Sequence, residues 1–398
     1  MSMINVAEAY KRIAQAIPRS PTEHVNVAAA GGRVLAQPVF AERDQPPFDR
    51  VMMDGIAINH AAIASGKTKF RRQGTQAAGT EQLSLDDPAN CIEVMTGAVV
   101  PALCDCVIPI EEIQLTEQSA ELLPDVSPRK SQYIHHRGSD YGKSDLLLEP
   151  GTRIGGPEMA VLASAGQATV GLAREPNFFI VAIGDELADP GTELGPSQIR
   201  RSNDFAIDTL LKETGFNTTR RSKLPDDPGV LRKTIAELLE QADILILTGG
   251  VSMGKYDYIP EIMNSLGVEI LLHKIAQKPG KPMWVGRRRD TVVFALPGNP
   301  VSSLVCARRY VVPAIQDAMG FRPQQEIARL GRPLHQAVPL TWFVPVILEP
   351  HESGMLATPR LTNTSGDFHT LAGTTGFVEL AHEQTEFPAG HLAPFWRW

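Results

Sequence analysis

Cysteine is scarce in this chain, with four in 398 residues. Cys91, Cys104, Cys106 and Cys306 make no disulfide framework over such a length, and Cys104-Asp-Cys106 lacks the spacing of a metal site. Long apolar runs are missing too, since no stretch approaches the ~18 residues that a membrane span requires. The first twenty residues carry an amphipathic helix pattern (Val6, Tyr10, Ile13, Ile17) without the apolar centre of a signal peptide. A reducing cytoplasm, with no membrane insertion, is therefore expected. Positive charge is in deficit: the net charge is −7, whereas nucleic acid selects basic stripes. The one basic run, Arg287-Arg288-Arg289, reads as a hairpin tip. Internal repeats and low-complexity tracts are also lacking.

What remains is an ordinary globular composition, 43% hydrophobic and 21% charged, in a chain longer than one core usually serves, so that two to four domains are expected. After the opening helix, residues 26–140 are rich in Pro, Gly and short β-like runs such as 91–95 and 106–110, and read as a mostly β module. Between 141 and 175 a helical run, 157–165, is stopped by Gly166 and followed by a short strand, 168–172. This piece is too small for its own core and is expected to pack on the first helix, so that the β module is an insertion.

From Pro176 the rhythm changes. Strand 178–183, helices 203–214 and 228–241, strand 243–248, helix 258–266, strands 268–273 and 291–296 and helix 300–319 alternate. The strands are apolar on both faces, which predicts an α/β domain with a mostly parallel sheet over 176–322. Residues 323–398 return to short strands and turns and suggest a small β barrel.

Two segments of the α/β region stand out, Thr248-Gly-Gly-Val-Ser-Met-Gly-Lys-Tyr-Asp257 and Leu296-Pro-Gly-Asn-Pro-Val-Ser-Ser303. Each follows an apolar run and opens a helical pattern, so each presents free backbone N–H groups and a positive helix end, a seat for phosphate or another anion. Ser302 and Ser303 read equally as ligand donors or as helix-start residues. Glu186, Asp226 and Asp257 fall in loops around the same strand ends. Carboxylates beside a phosphate seat suit Mg²⁺, although Asp226 in Asp-Asp-Pro could equally be a helix N-cap. Lys278-Pro-Gly-Lys281-Pro holds two ammonium groups on a rigid turn, which suits an oxyanion. In the inserted module, Met53-Asp54-Gly55 reads as turn chemistry and Thr96-Gly-Ala ends a strand; spacing alone assigns neither a role. His135-His136 reads as a pair of exposed loop histidines.

Taken in order, these segments resemble the MoeA family of molybdopterin molybdotransferases, which includes the E domain of gephyrin. The likeness runs nearly end to end through Pro47-Phe-Asp49, Met53-Asp-Gly55, Thr96-Gly-Ala98, Arg137-Gly-Ser-Asp140, Gly184-Asp-Glu-Leu187, Gly249-Gly-Val-Ser-Met-Gly254 with Asp257, Lys278-Pro-Gly-Lys-Pro282 and Leu296-Pro-Gly-Asn-Pro300. It departs from the family's usual residues at Ile56, Ile183 and near Trp342. The resemblance implies a split linker and dimerisation domain (1–25 with 141–175), the inserted β module (26–140), an α/β molybdopterin-binding domain and a C-terminal barrel, assembled as a homodimer.

It further implies an enzyme that takes adenylylated molybdopterin and molybdate as substrates, releases AMP and leaves molybdenum on the dithiolene. Gly249, Gly250, Ser252, Pro297, Gly298, Asn299 and Pro300 would then grip the pterin phosphate, and Asp226 and Asp257 would hold Mg²⁺. Glu186 would line the same cleft, Lys278, Lys281 and Ser365 would hold molybdate, and Asp54 and Thr96 would reach in from the partner subunit. The adenylylating enzyme upstream and recipient molybdoenzymes are the further partners implied. The departures motivate a rival reading, a non-catalytic molybdopterin-binding carrier or assembly partner.

Overall fold

The structure is a computed structural model that describes residues 3–250, 258–352 and 354–398. Its chain divides into two compact units, one comprising 1–37, 150–155 and 169–398, the other 38–149 and 156–168.

The first unit contains the α/β domain. Its six-stranded sheet runs in the order Thr219–Leu224, Phe178–Ile183, Ile244–Thr248, Thr291–Leu296, Trp284–Arg288, Glu269–His273. The first four strands are mutually parallel, and the last two add an antiparallel edge. Strands apolar on both faces require helices on both sides. Phe178, Ile180, Ile244, Ile246 and Phe294 pack toward the helices Asn203–Glu213 and Pro300–Cys306, whereas Phe179, Val181, Leu245, Leu247 and Val293 pack toward Pro228–Leu239 and Ile259–Ser265. The N-terminal helix Val6–Ala16, capped by the Asn5 side chain on Glu8 N–H at 2.8 Å, adds Val6, Ala9 and Ile13 to the first of these cores. Full burial of one such side chain contributes about 1.5–3 kcal/mol.

The strand Thr219–Leu224 does not appear in the sequence pattern. Its Arg220, Arg221 and Lys223 give it a polar reading, yet it occupies the sheet edge, where only its final Leu224 is buried. The predicted helix 300–319 is interrupted by a π-helical turn, Ala307–Val311. Pro313 lacks an N–H for the i→i−4 ladder, and the wider turn, with Val312 N–H bonded to Ala307, absorbs the break. Arg289, at φ 54, turns the hairpin between Trp284–Arg288 and Thr291–Leu296, as the basic run suggested.

Residues 326–397 close a five-stranded barrel in the order Thr341–His351, Gly354–Pro359, Glu326–Leu330, Leu392–Arg397, Gly376–Leu380 and back to the first. The short strand Gln277–Lys278 leaves the α/β domain to pair in parallel with Thr341 and Trp342. The first unit also holds the antiparallel pair Thr22–Asn26 and Thr169–Ala173.

The second unit is built on a six-stranded sheet, Cys106–Pro109, Gly55–Ile58, Cys91–Val94, Lys69–Gln76, Ser119–Leu122, Ile113–Leu115. Period-two alternation sends Ile56 and Ile58 into one apolar cluster and Ala57 into another. The helix Gly156–Ser164 also falls in this unit. No described helix is long and apolar enough to cross a membrane.

Candidate functional site

The strand Phe178–Ile183 is where the order of the α/β sheet reverses. One crossover leads to Thr219–Leu224 on one side and the next to Ile244–Thr248 on the other, and ligands of such sheets bind in the crevice at the carboxyl ends beside that point. A cavity of about 530 Å³ opens there.

Both loops singled out in the sequence line this cavity. Gly249 N–H donates to the Leu296 carbonyl at 3.3 Å, and a methyl group added at Gly298 would lie 3.7 Å from Gly249 Cα. Gly249 has φ +95, and a Cβ there would stand 2.5 Å from the Ile183 carbonyl oxygen. Only glycine satisfies both conditions. Pro297 is buried beneath the second loop, while Gly298 and Asn299 are exposed at the cavity. Gly250, at φ +69, continues the first loop. Ser252 and Asp257 lie outside the described residues.

Glu186 lines the same cavity, its carboxylate folded back over Gly184. Asp226 lies in the neighbouring loop. Its Oδ2 accepts from Asp185 N–H at 3.3 Å and its own N–H donates to Asp185 Oδ1 at 3.2 Å, which stitches the loops after two adjacent strands together. The N-cap of the helix Pro228–Leu239 is Asp227, which accepts from Val230 N–H at 2.7 Å. Of the two readings open for Asp226, the cap is thus taken by its neighbour. Ser302 and Ser303 are buried in the first turn of Pro300–Cys306 and line neither this cavity nor the one described next.

A second cavity, of about 400 Å³, is lined by Lys278, Trp342, Pro345, Leu361, Asn363 and Ser365 among others. Pairing of Lys278 with Trp342 sets the ammonium 4.0 Å from the indole centroid, and burial lowers the lysine pKa. Lys281 is exposed in the following turn and does not line this cavity. Ser365 joins the two cavities. Its Oγ accepts from Asn299 Nδ2 at 2.7 Å and its carbonyl accepts from Val301 N–H at 3.1 Å, so a loop of the C-terminal domain is fastened to the second anion loop.

Residues that the sequence reading passed over complete these walls. Arg200, Arg201 and Asn203 come from the segment 199–203, held by a short parallel pair with Leu187–Ala188. Arg201 is matched by Asp189 at 3.0 Å and by buried Asp204 at 3.3 Å, and desolvation raises the pKa of Asp204. Arg200 bonds neutral oxygens of Asp189 and Thr192, with no carboxylate partner among the described residues. Asn203 donates to the Gly298 carbonyl at 2.8 Å. Phe368 stands half-exposed at the mouth. The visible signal for the basic pair was Arg200-Arg201 just before Ser-Asn-Asp, a helix-start composition.

In the second unit, Asp54 Oδ1 accepts from Thr96 N–H at 2.6 Å and from Thr96 Oγ1–H at 2.7 Å. These two bonds hold the carboxyl pKa below its ordinary value. The register Gly55↔Val94 brings the two residues together. A side chain at Gly55 would run into the Ile108 carbonyl of the next strand. His135 contacts Asp140 at 2.8 Å, and His136 lies 3.4 Å from Asp49. No group of three or more metal-ligating side chains occurs among the described residues.

Fold and cleft define an α/β protein with a cavity at the switch point of its sheet, joined in one chain to β domains. Residues 4–166 match the MoeA N-terminal region (domain I and II), 179–317 a probable molybdopterin binding domain and 327–398 the MoeA C-terminal region (domain IV). The chain is 37% identical over 400 residues to a molybdopterin molybdenumtransferase of Synechocystis, covering 100% of both. It is 31% identical over 386 residues to that of Bacillus subtilis, covering 95% of this chain and 90% of the relative. A crystal structure titled as a molybdopterin biosynthesis MoeA protein of Pyrococcus horikoshii superposes with a TM-score of 0.84 at 27% identity, covering 100% of this chain and 99% of that one. The chain belongs to the MoeA family.

Proposed function

We propose that the protein is a molybdopterin molybdotransferase of molybdenum cofactor biosynthesis, which takes adenylylated molybdopterin and molybdate, releases AMP and leaves molybdenum on the dithiolene. The observation that carries this reading is the Asn299–Ser365 bond. It joins a phosphate-type seat of backbone N–H groups to a cleft holding a desolvated lysine, so two anions can be gripped side by side. In this reading Gly249, Gly250, Ser252 and Pro297 to Pro300 seat the pterin phosphate, Glu186 orients the adenylylated end, and Lys278, with Lys281 and Ser365, gathers molybdate.

The family implies Mg²⁺. Asp226 fits it: the helix cap falls to Asp227, and among the described residues a single backbone N–H bonds the Asp226 carboxylate. Asp226 and Asp257 would hold the ion, which shields the charge of the phosphoanhydride when bound. Asp54, kept ionised by Thr96, is read as the group that the partner subunit of a homodimer contributes. The division into 1–25 with 141–175, 26–140, 176–322 and 323–398, the cytoplasmic location, and exchange with the adenylylating enzyme and recipient molybdoenzymes belong to the same reading.

The test is incubation of purified protein with adenylylated molybdopterin, molybdate and Mg²⁺. AMP release together with reconstitution of a molybdoenzyme is expected. Tight pterin binding without AMP release, and no rescue of a molybdotransferase-deficient strain despite good expression, would replace this reading with the non-catalytic carrier.

A further inference from the structure

A third cavity, of about 420 Å³, lies where the π-helical turn meets the barrel, and the reading above gives it no role. Its size falls within the range of small-molecule clefts. Tyr10, Phe321 and Trp396 form aromatic walls, and Arg308 and Arg309, both within the π-turn, line it too. Such turns recur at functional sites.

Among the described residues, the charged side chains lining this cavity sit in salt bridges with one exception, Arg308. Arg309 meets Glu379 at 2.8 Å and lies 4.5 Å from the Trp396 ring centroid. Asp317 accepts from Tyr10 O–H at 2.5 Å and from Arg322 Nε–H at 3.1 Å. Glu326, whose charge also bears on Arg308, is held by Arg397 at 2.8 and 3.2 Å. Arg308 donates Nε–H to the Arg397 carbonyl and packs 5.5 Å from the Trp396 centroid. Its terminal nitrogens have no protein acceptor among the described residues. Burial, with the like charge of Arg309, pulls its pKa down to about 10 against the opposing pull of Glu326, which is itself taken up by Arg397.

We infer that this cavity binds a small aromatic carboxylate, its carboxylate on the free fork of Arg308 and its ring against Trp396 and its aromatic neighbours. A guanidinium fork matches a carboxylate in plane and spacing. A phosphate dianion fits less well, because Asp317 and Glu326 line the same cavity and repel a second negative charge.

Benzoate is the probe, titrated into the full-length protein with tryptophan fluorescence as readout. Saturable quenching with half-saturation near ~1 mM is expected for so small a ligand. The neutral isostere benzamide should bind at least ~10-fold more weakly, since it lacks the charge-assisted pair, and this comparison requires no variant. Arg308→Gln, checked for a parent-like melting curve, should abolish saturation, and Arg308→Lys should retain part of it. Lys278→Ala should leave the titration unchanged. Non-saturating quenching, equal affinity for benzamide, parent-like binding by Arg308→Gln, loss of binding in Lys278→Ala, or displacement by inorganic phosphate at equal concentration would each overturn the assignment.

Discussion

The two cavities joined at Ser365 are built from different materials. The one at the sheet switch point has a floor of backbone, from Gly249, Gly298 and the helix start at Pro300, ringed by the side chains of Glu186, Arg200, Arg201 and Asn203. The one beside the barrel is made of side chains, a lysine stacked on an indole and a serine fixed by an asparagine. A backbone seat fails when an atom is added, whereas a side-chain seat fails when a charge or hydrogen bond is removed.

The largest effect should follow from adding atoms to the first seat. Gly249→Val puts a branched side chain against the Ile183 carbonyl in a left-handed backbone, and a loss of stability of about 2–4 kcal/mol is expected. A thermal melt should report it, along with loss of pterin binding; an unchanged melt and parent-like affinity would show that the loop has room to spare.

Lys278→Ala is expected to raise the KM for molybdate ~10-fold or more, the worth of one or two charge-assisted bonds, while pterin affinity stays within about twofold of the parent. The lysine also sets a pH dependence. Burial lowers its folded-state pKa, so the ammonium is lost on the alkaline side earlier than from an ordinary lysine. Molybdate affinity of the parent should therefore fall as pH rises toward that range, and the alanine variant should show a flat profile.

A smaller effect is expected from Asn299→Asp. The amide now donates to Ser365 Oγ, which leaves the serine proton free for an oxyanion. A carboxylate would instead accept that proton and repel the anion, so the KM for molybdate should rise about 5–10-fold, in line with one lost hydrogen bond. Asn299→Ala should cost less than the aspartate, and equal KM values for the two would remove the polarity explanation. Trp342→Phe, which weakens but keeps the cation–π contact, should change molybdate KM by no more than about threefold, with the alkaline fall moved slightly toward lower pH, because the ammonium loses part of the contact that favours it.

The same contrast explains what could be read in advance. The central strands, both anion loops and the barrel follow from apolar periodicity and glycine–proline punctuation, which act locally. The edge strand Thr219–Leu224 did not, because an edge tolerates polar residues that a buried strand refuses. Asp226 and Asp227 are adjacent and chemically alike, so only the observed cap, on Val230, separates them. The serine pair after Pro300 had two readings because a helix start looks the same whether its hydroxyls face a ligand or the core; here they are buried.

By itself the sequence determined the strand-to-helix turns at the carboxyl edge of the sheet, since glycine, proline and the order of strands and helices fix backbone geometry within a few residues. It also carried, in the order of its motifs, the membership of the MoeA family. Only the tertiary structure decided which residues share a wall. Asp54 meets Thr96 through strand register, Lys278 meets Trp342 through a strand that crosses into the barrel, and Asn299 meets Ser365 across 66 residues. Those meetings depend on long-range pairing, which no local pattern specifies.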